Sequence, residues 1–197
     1  MGVNRRGQFA AVTNYREPGK DQKGKKSRGL LVQNFLLSGD AAAYARELAA
    51  TGADYNGYNL LFGDANAVYY FSNRSGKETA ALSPGLYGLS NHLLDTPWPK
   101  VRKAKAAFAA INPSASEAAF TFLNDNTPAP DGEVQQTGLP LATEKALSSM
   151  FIAAPGYGTR VSSFLFMSSG GSANFTERTF NEGKRGADAN FAFPSET

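Results

Sequence analysis

The four residues Gly63-Asp64-Ala65-Asn66 stand between two runs rich in aromatic and aliphatic side chains, Tyr55–Phe62 and Ala67–Ser72. A short Gly- and Asn-containing link between two such runs predicts an antiparallel hairpin. Tyr58, Leu60, Val68 and Tyr70 suit a half-buried sheet, and such a sheet needs cover from another layer. The cover is legible upstream. Ser27 can cap a helix running to about Leu37, with Leu31 and Phe35 on one face. Asp40 can cap a second helix, Ala41 to Ala50, ended by Gly52. An earlier hairpin turns at Asn4-Arg5-Arg6-Gly7, with a long arm Gln8–Tyr15 and a short arm Gly2–Asn4.

Thr79–Leu82 and Leu86–Ser90 read as short strands broken by Pro84-Gly85. Pro99 suits the first turn of a helix whose apolar face is Val101, Ala104, Phe108 and Ile111. Ser114 and Glu117 have the spacing of a capping box for a helix reaching Leu123. Asn124–Pro140 reads as a long surface loop and Glu144–Phe151 as a short helix. Arg160–Met167, Asn174–Phe180 and Asn190–Phe193 return to strand character. This order is that of a layered α+β domain and not of an alternating βαβ fold. The length, 197 residues, suits a single domain over 1–197, and 20 Gly with 14 Phe favour a sheet-rich chain over a helical bundle.

Several function classes are excluded. One His and no Cys cannot supply the usual zinc ligand sets, and no metal is expected. There is no phosphate-binding loop and no dinucleotide fingerprint. No apolar run is long enough for a membrane span, and no signal peptide opens the chain, so a cytoplasmic protein is expected. Residues 1–28 carry eight Lys or Arg against two acids. The Lys20–Arg28 segment lacks aromatic interleaving and reads as a solvated loop, so no nucleic-acid partner is expected.

Special residues concentrate in two places. Leu89–Lys100 (LSNHLLDTPWPK) holds the only His and the only Trp, and Phe9–Pro18 (FAAVTNYREP) has the same character. Each carries an Asn, Asn91 and Asn14, at the end of an apolar run. A neutral amide there can donate to a developing oxyanion or simply cap the strand end, and both readings stay open. Gly88-Leu89-Ser90-Asn91-His92 resembles a nucleophile elbow only at its start, because its second Gly is absent. His92 reads as a loop-packing residue.

Taken with Ser27-Arg28-Gly29, Tyr55-Asn56-Gly57-Tyr58-Asn59-Leu60, Leu147-Ser148-Ser149-Met150-Phe151 and Tyr157-Gly158-Thr159-Arg160, these two motifs resemble the NRDE protein family, also called the transport-and-Golgi-organisation family. The resemblance covers nearly the whole chain. It implies an αββα sandwich like that of the N-terminal nucleophile hydrolases. Family members begin Met-Cys and carry an Asn-Arg-Asp-Glu motif; this chain has neither, so the resemblance implies a domain lacking its first strands and its nucleophile. It implies Asn14 and Asn91 as oxyanion- or amide-binding groups. It implies Tyr15, Arg16, Asn56, Asn59, Trp98, Lys100 and Arg160 as ligand-binding candidates, with Tyr58 and Tyr70 among the aromatics. Two functions follow from it. One is binding or trafficking of a small hydrophobic acidic ligand, haem or a lipid-type metabolite. The other is amide hydrolysis by a protein that includes the nucleophile-bearing segment. Whether the chain is an enzyme stays open.

Overall fold

The computed structural model describes residues 1–194, so the last three positions of the expected single domain lie outside the described residues. The chain runs through β1 (Gly2–Val3), β2 (Phe9–Asn14), α1 (Gly29–Ser38), α2 (Ala41–Thr51), β3 (Tyr58–Gly63), β4 (Val68–Ser72) and β5 (Ala80–Ala81). It continues through α3 (Pro99–Ala109), α4 (Ser116–Leu123), α5 (Leu141–Ala146), β6 (Ala153–Ala154), β7 (Tyr157–Gly158), β8 (Val161–Met167), β9 (Ala173–Asn181) and β10 (Lys184–Phe193). This is an α+β fold. The first five strands form one antiparallel sheet in chain order, the last three form a second, and β6 and β7 pair as a separate short hairpin. Among the described residues, no helix is long and apolar enough to cross a membrane.

Strand side chains alternate between faces, and the five-stranded sheet uses its faces differently. Ala10, Leu60, Phe62 and Phe71 join Leu31 and Phe35 of α1 and Tyr44 and Leu48 of α2 in a buried apolar cluster. The Phe62 ring lies 5.1 Å from Phe35 and 5.5 Å from Tyr44, edge-on to both, the geometry that ring quadrupoles favour. The Tyr44 hydroxyl donates to the Leu31 carbonyl at 2.8 Å and ties the two helices together. Asp40 caps α2 as expected, accepting from the Ala43 N–H at 2.9 Å. Ser27 does not cap α1; that position belongs to Arg28, whose side chain makes no capping bond. A smaller cluster joins Ala119 and Phe120 of α4 to Phe164 of β8. The expected capping box is also absent. Asn112 takes both the N–H and the hydroxyl of Ser114, while Glu117 pairs with Arg178 at 2.6 Å. Helix α5 begins at Leu141, three residues before the expected start, directly after Pro140.

The other face of the five-stranded sheet is polar in its middle. There the polar side chains Thr13, Asn59 and Tyr70 hold an irregular segment. Leu86–Ser90, expected as a strand, forms no ladder; its apolar residues mimic a strand pattern, but its backbone is fastened by side chains. Asn59, with no exposed surface, donates to Thr13 Oγ1 at 3.1 Å and to the His92 carbonyl at 3.0 Å. Its own oxygen accepts from the Tyr70 hydroxyl at 2.8 Å. Thr13 donates to the Ser90 carbonyl at 2.8 Å, and Tyr70 accepts from the Leu94 N–H at 3.1 Å. Both amide hydrogens and the amide oxygen of Asn59 are therefore in use, which removes it from the ligand-binding candidates.

Replacing Asn59 by Ala leaves the His92 carbonyl and the Tyr70 hydroxyl short of a partner in a site closed to water. We expect a loss of about 2–4 kcal/mol, and thermal unfolding lower by roughly 5–15 °C for a chain of this size. Asn56→Ala, at a half-buried site that ties only an exposed loop, should cost about 1 kcal/mol or less. Equal losses in the two variants, measured by calorimetry, would refute the role given to Asn59.

Candidate functional site

The segment pinned by Asn59 runs alongside the end of β2. The Arg16 N–H donates to the Asn91 carbonyl at 2.7 Å, and Asn91 Nδ2 donates to the Asn14 carbonyl at 3.1 Å. The segment closes on itself where the Gly88 N–H meets Asp95 Oδ1 and the Asp95 N–H meets the Gly88 carbonyl, both at 2.8 Å. Asp95 takes a positive φ of 57° there, and Lys105 of α3 pairs with it at 2.7 Å. Asn14 and Asn91 are thus brought together, Asn14 from a strand end and Asn91 from a loop. The exposed Asn14 side chain makes no hydrogen bond among the described residues. The Asn91 amide is engaged on both sides, since its oxygen accepts from Arg16 Nη2 at 3.3 Å.

Arg16 is the hub. Its guanidinium lies 5.2 Å from the centre of the Trp98 ring and pairs with the buried Glu144 of α5 at 3.3 Å. Glu144 also accepts from the Thr137 N–H at 2.7 Å, the Thr137 hydroxyl at 2.5 Å and Gln135 Nε2 at 3.2 Å. Burial works to raise the Glu144 carboxyl, but these bonds outweigh it and hold the group below the usual carboxylate range. Burial lowers the Arg16 guanidinium, and Glu144 opposes that shift. Lys100 of α3 donates to the Leu147 carbonyl at 2.8 Å.

A cleft of about 280 Å³ opens among Asn14, Tyr15, Arg16, Asn91, Leu139, Leu147 and Tyr157. Its rim adds Arg28, with Asp21 at 3.8 Å, and Glu17, which Arg74 holds at 2.5 Å. Trp98 stands under Arg16 and does not line the cleft. Asn56 clamps the Lys-rich loop by bonding both the N–H and the carbonyl of Gln22. Tyr58 is buried in the apolar cluster, and the half-buried Tyr70 belongs to the Asn59 network. Arg160 lines a different cleft, of about 520 Å³, between the β6–β7 hairpin and the β9–β10 turn. That hairpin has strands of only two residues, too short for a periodic signal, and Tyr157 at its bend borders both clefts. Among the described residues, no cluster of three or more His, Asp or Glu could hold a metal.

His92, expected as a loop-packing residue, is hydrogen-bonded at both ring nitrogens. Its Nε2 lies 2.7 Å from the Tyr15 hydroxyl and its Nδ1 lies 2.8 Å from Thr96 Oγ1, while Thr96 donates to the Leu93 carbonyl at 2.8 Å. A hydroxyl has one proton, so the arrangement that satisfies every group puts a hydrogen on Nδ1 and leaves Nε2 to accept from Tyr15. Tyr15 and His92 are 77 positions apart, and nothing in their local patterns announces the pairing. Burial lowers the His92 imidazolium below its usual range. The unfolded chain then takes up the proton first as pH falls below about 6.5, so stability is lost from that point down to the folded-state pKa. We expect His92→Gln to remove part of this acid-side loss. An unchanged pH profile of the melting temperature would contradict the assignment.

The family model described as Transport and Golgi organisation 2 matches residues 1–182. Transport and Golgi organization protein 2 homolog of Bos taurus is 34% identical over 198 residues, covering 91% of this chain and 71% of the relative. The homologs of Homo sapiens and Mus musculus are each 32% identical with the same coverage. The motifs that build the cleft, from FAAVTNYREP to LSNHLLDTPWPK and the Leu147–Phe151 run, lie within the matched span, and the chain belongs to the Transport and Golgi organisation 2 family.

Proposed function

We propose that the cleft beside Arg16 binds the acidic end of a small hydrophobic molecule, haem or a lipid-type metabolite, in a binding or trafficking role. The observation that carries this reading is the free Asn14 amide set beside the Arg16 guanidinium, with the apolar side chains of Leu139, Leu147 and Tyr157 close by. A carboxylate can accept from Asn14 and approach Arg16, while its chain lies over the exposed Tyr157. At about 280 Å³ the cleft is at the small end for a whole organic ligand; it suits a head group whose remainder stays near the surface. The frame we infer for it is the αββα sandwich of the N-terminal nucleophile hydrolases. Support comes from α1 and α2 lying against one sheet and α4 against the other.

The engaged state of Asn91 favours binding over amide hydrolysis. An oxyanion site with two donors needs both amides to point at one oxygen. Here one hydrogen of Asn91 Nδ2 goes to the Asn14 carbonyl and the Asn91 oxygen accepts from Arg16, which fixes the direction of that amide, whereas Asn14 keeps both amide hydrogens.

The only Trp, Trp98, lies against Arg16 and reports on the site. Haem, a long-chain fatty acid and the matching alcohol should be titrated against its fluorescence. We expect saturable binding of the acids, with the alcohol weaker. Asn14→Ala should weaken acid binding by about 2–10-fold, the worth of one hydrogen bond. Higher salt should weaken it further at this partly open site. Acid and alcohol binding equally, or no saturation by either acid, would overturn the proposal.

A further inference from the structure

Lys100 differs from every other lysine of the chain. Lys26, Lys103, Lys105 and Lys145 each pair with a carboxylate, and Lys20, Lys23, Lys25, Lys77 and Lys184 are exposed. Lys100 is half-buried, and no carboxylate lies within ion-pair distance of it among the described residues. Its Nζ is held by one neutral acceptor, the Leu147 carbonyl at 2.8 Å. The nearest acid, Glu144, is already engaged by Arg16, Thr137 and Gln135. Two charges act on Lys100 from nearby: the Arg16 guanidinium repels its ammonium, and Glu144, engaged elsewhere, offsets that repulsion to a smaller degree. Lys100 also lines a separate cavity of about 230 Å³, where Pro99, Pro128, Ala129, Pro130 and Met150 supply apolar wall and Lys103, Thr127 and Ser148 the polar remainder.

An amine taken from water, given no ion-pair partner and placed near a second cation favours its neutral, nucleophilic form. Burial first and Arg16 second bring the Lys100 ammonium down to about 8. We propose that Lys100 is a carbonyl-reactive amine that captures a small apolar aldehyde or ketone in this cavity as an imine. The nitrogen lone pair forms a bond to the carbonyl carbon, and the π pair moves to oxygen, which takes a proton. The carbinolamine then loses its oxygen as water, with both nitrogen protons ending in that water, and a C=N bond replaces C=O. No oxidant or reductant takes part, and the step is reversible by water. This inference does not depend on the ligand proposed for the cleft beside Asn14, although Arg16 and Leu147 border both places.

The test is reductive trapping on the whole native protein. Butanal at low concentration with cyanoborohydride at pH 7.5 should place a single butyl group on Lys100, found by peptide mapping. Labelling should be about tenfold or more faster than at the solvent-exposed lysines. Its rate should rise with pH to an inflection near 8. Lys100→Arg, which keeps the charge, should abolish the fast adduct, and Asn14→Ala should leave it unchanged. Adducts spread over the surface lysines with Lys100 unmodified, or a rate that climbs without inflection toward pH 10, would overturn the proposal.

Discussion

Asn59 uses both amide hydrogens and its oxygen at a fully buried point of β3, and every bond it makes runs away from the helical side of the sheet. The helices α1 and α2 can cover the other face by apolar contact because a helix satisfies its own backbone. The segment from Ser90 to Leu94 cannot, since it forms neither helix nor ladder and brings bare carbonyls and N–H groups against the sheet. Thr13, Asn59 and Tyr70 meet those groups one for one at Ser90, His92 and Leu94. An apolar side chain at position 59 would fit the strand pattern and leave the His92 carbonyl orphaned. The placement of Asn91 beside Asn14, and of His92 beside Tyr15, follows from this bed of three side chains.

A second constraint is the shortage of negative charge in the interior near α5. Glu144 is the one buried acid there, and its oxygens face Arg16, Thr137, Gln135 and Leu139. A buried ion pair gains little net stability once desolvation is counted, although losing one partner is costly. Its effect here is positional. Arg16 is held between Glu144, Asn91 and the Trp98 face, so the charge at the cleft is fixed in place rather than swinging on a long side chain. The same arrangement leaves Lys100 without an ion pair among the described residues, though Glu144 still acts on it from a distance.

The parts of the fold that rest on local rules were legible in the chain. Leu31 and Phe35 at one-turn spacing, Asp40 before α2, Pro99 at the start of α3 and the Gly63–Asn66 turn each act over a few residues, and the structure has them. The failures share a cause as well. Leu86–Ser90 has strand composition, but a strand needs a free neighbouring edge, and the sheet offers it only side-chain anchors. Ser114 and Glu117 have capping-box spacing, yet Asn112 and Arg178 compete for them more strongly. The two Asn residues could be singled out because polar groups at the ends of apolar runs are conspicuous, while Arg16 came only with the family resemblance. Asn59 could not be told from them, because its burial depends on partners 33 and 46 positions away. Arg160 was grouped with the cleft by motif alone, and the β6–β7 hairpin that separates it is too short to leave a pattern.

The cleft and Lys100 meet at two residues. Leu147 turns its side chain toward the cleft while its carbonyl holds the Lys100 amine, and Arg16 faces the cleft while its charge acts on Lys100. A carboxylate bound beside Arg16 offsets that charge, which restores the preference of Lys100 for its ammonium form. Under the two proposals, an anion in the cleft disfavours the neutral imine at equilibrium, and by linkage a neutral imine at Lys100 disfavours the anion by the same free energy. Removing positive charge near Arg16 weakens the field an anion feels, so the two occupants oppose each other. Because both groups are partly shielded from water, the opposition survives at salt concentrations that screen the exposed Lys20–Arg28 loop.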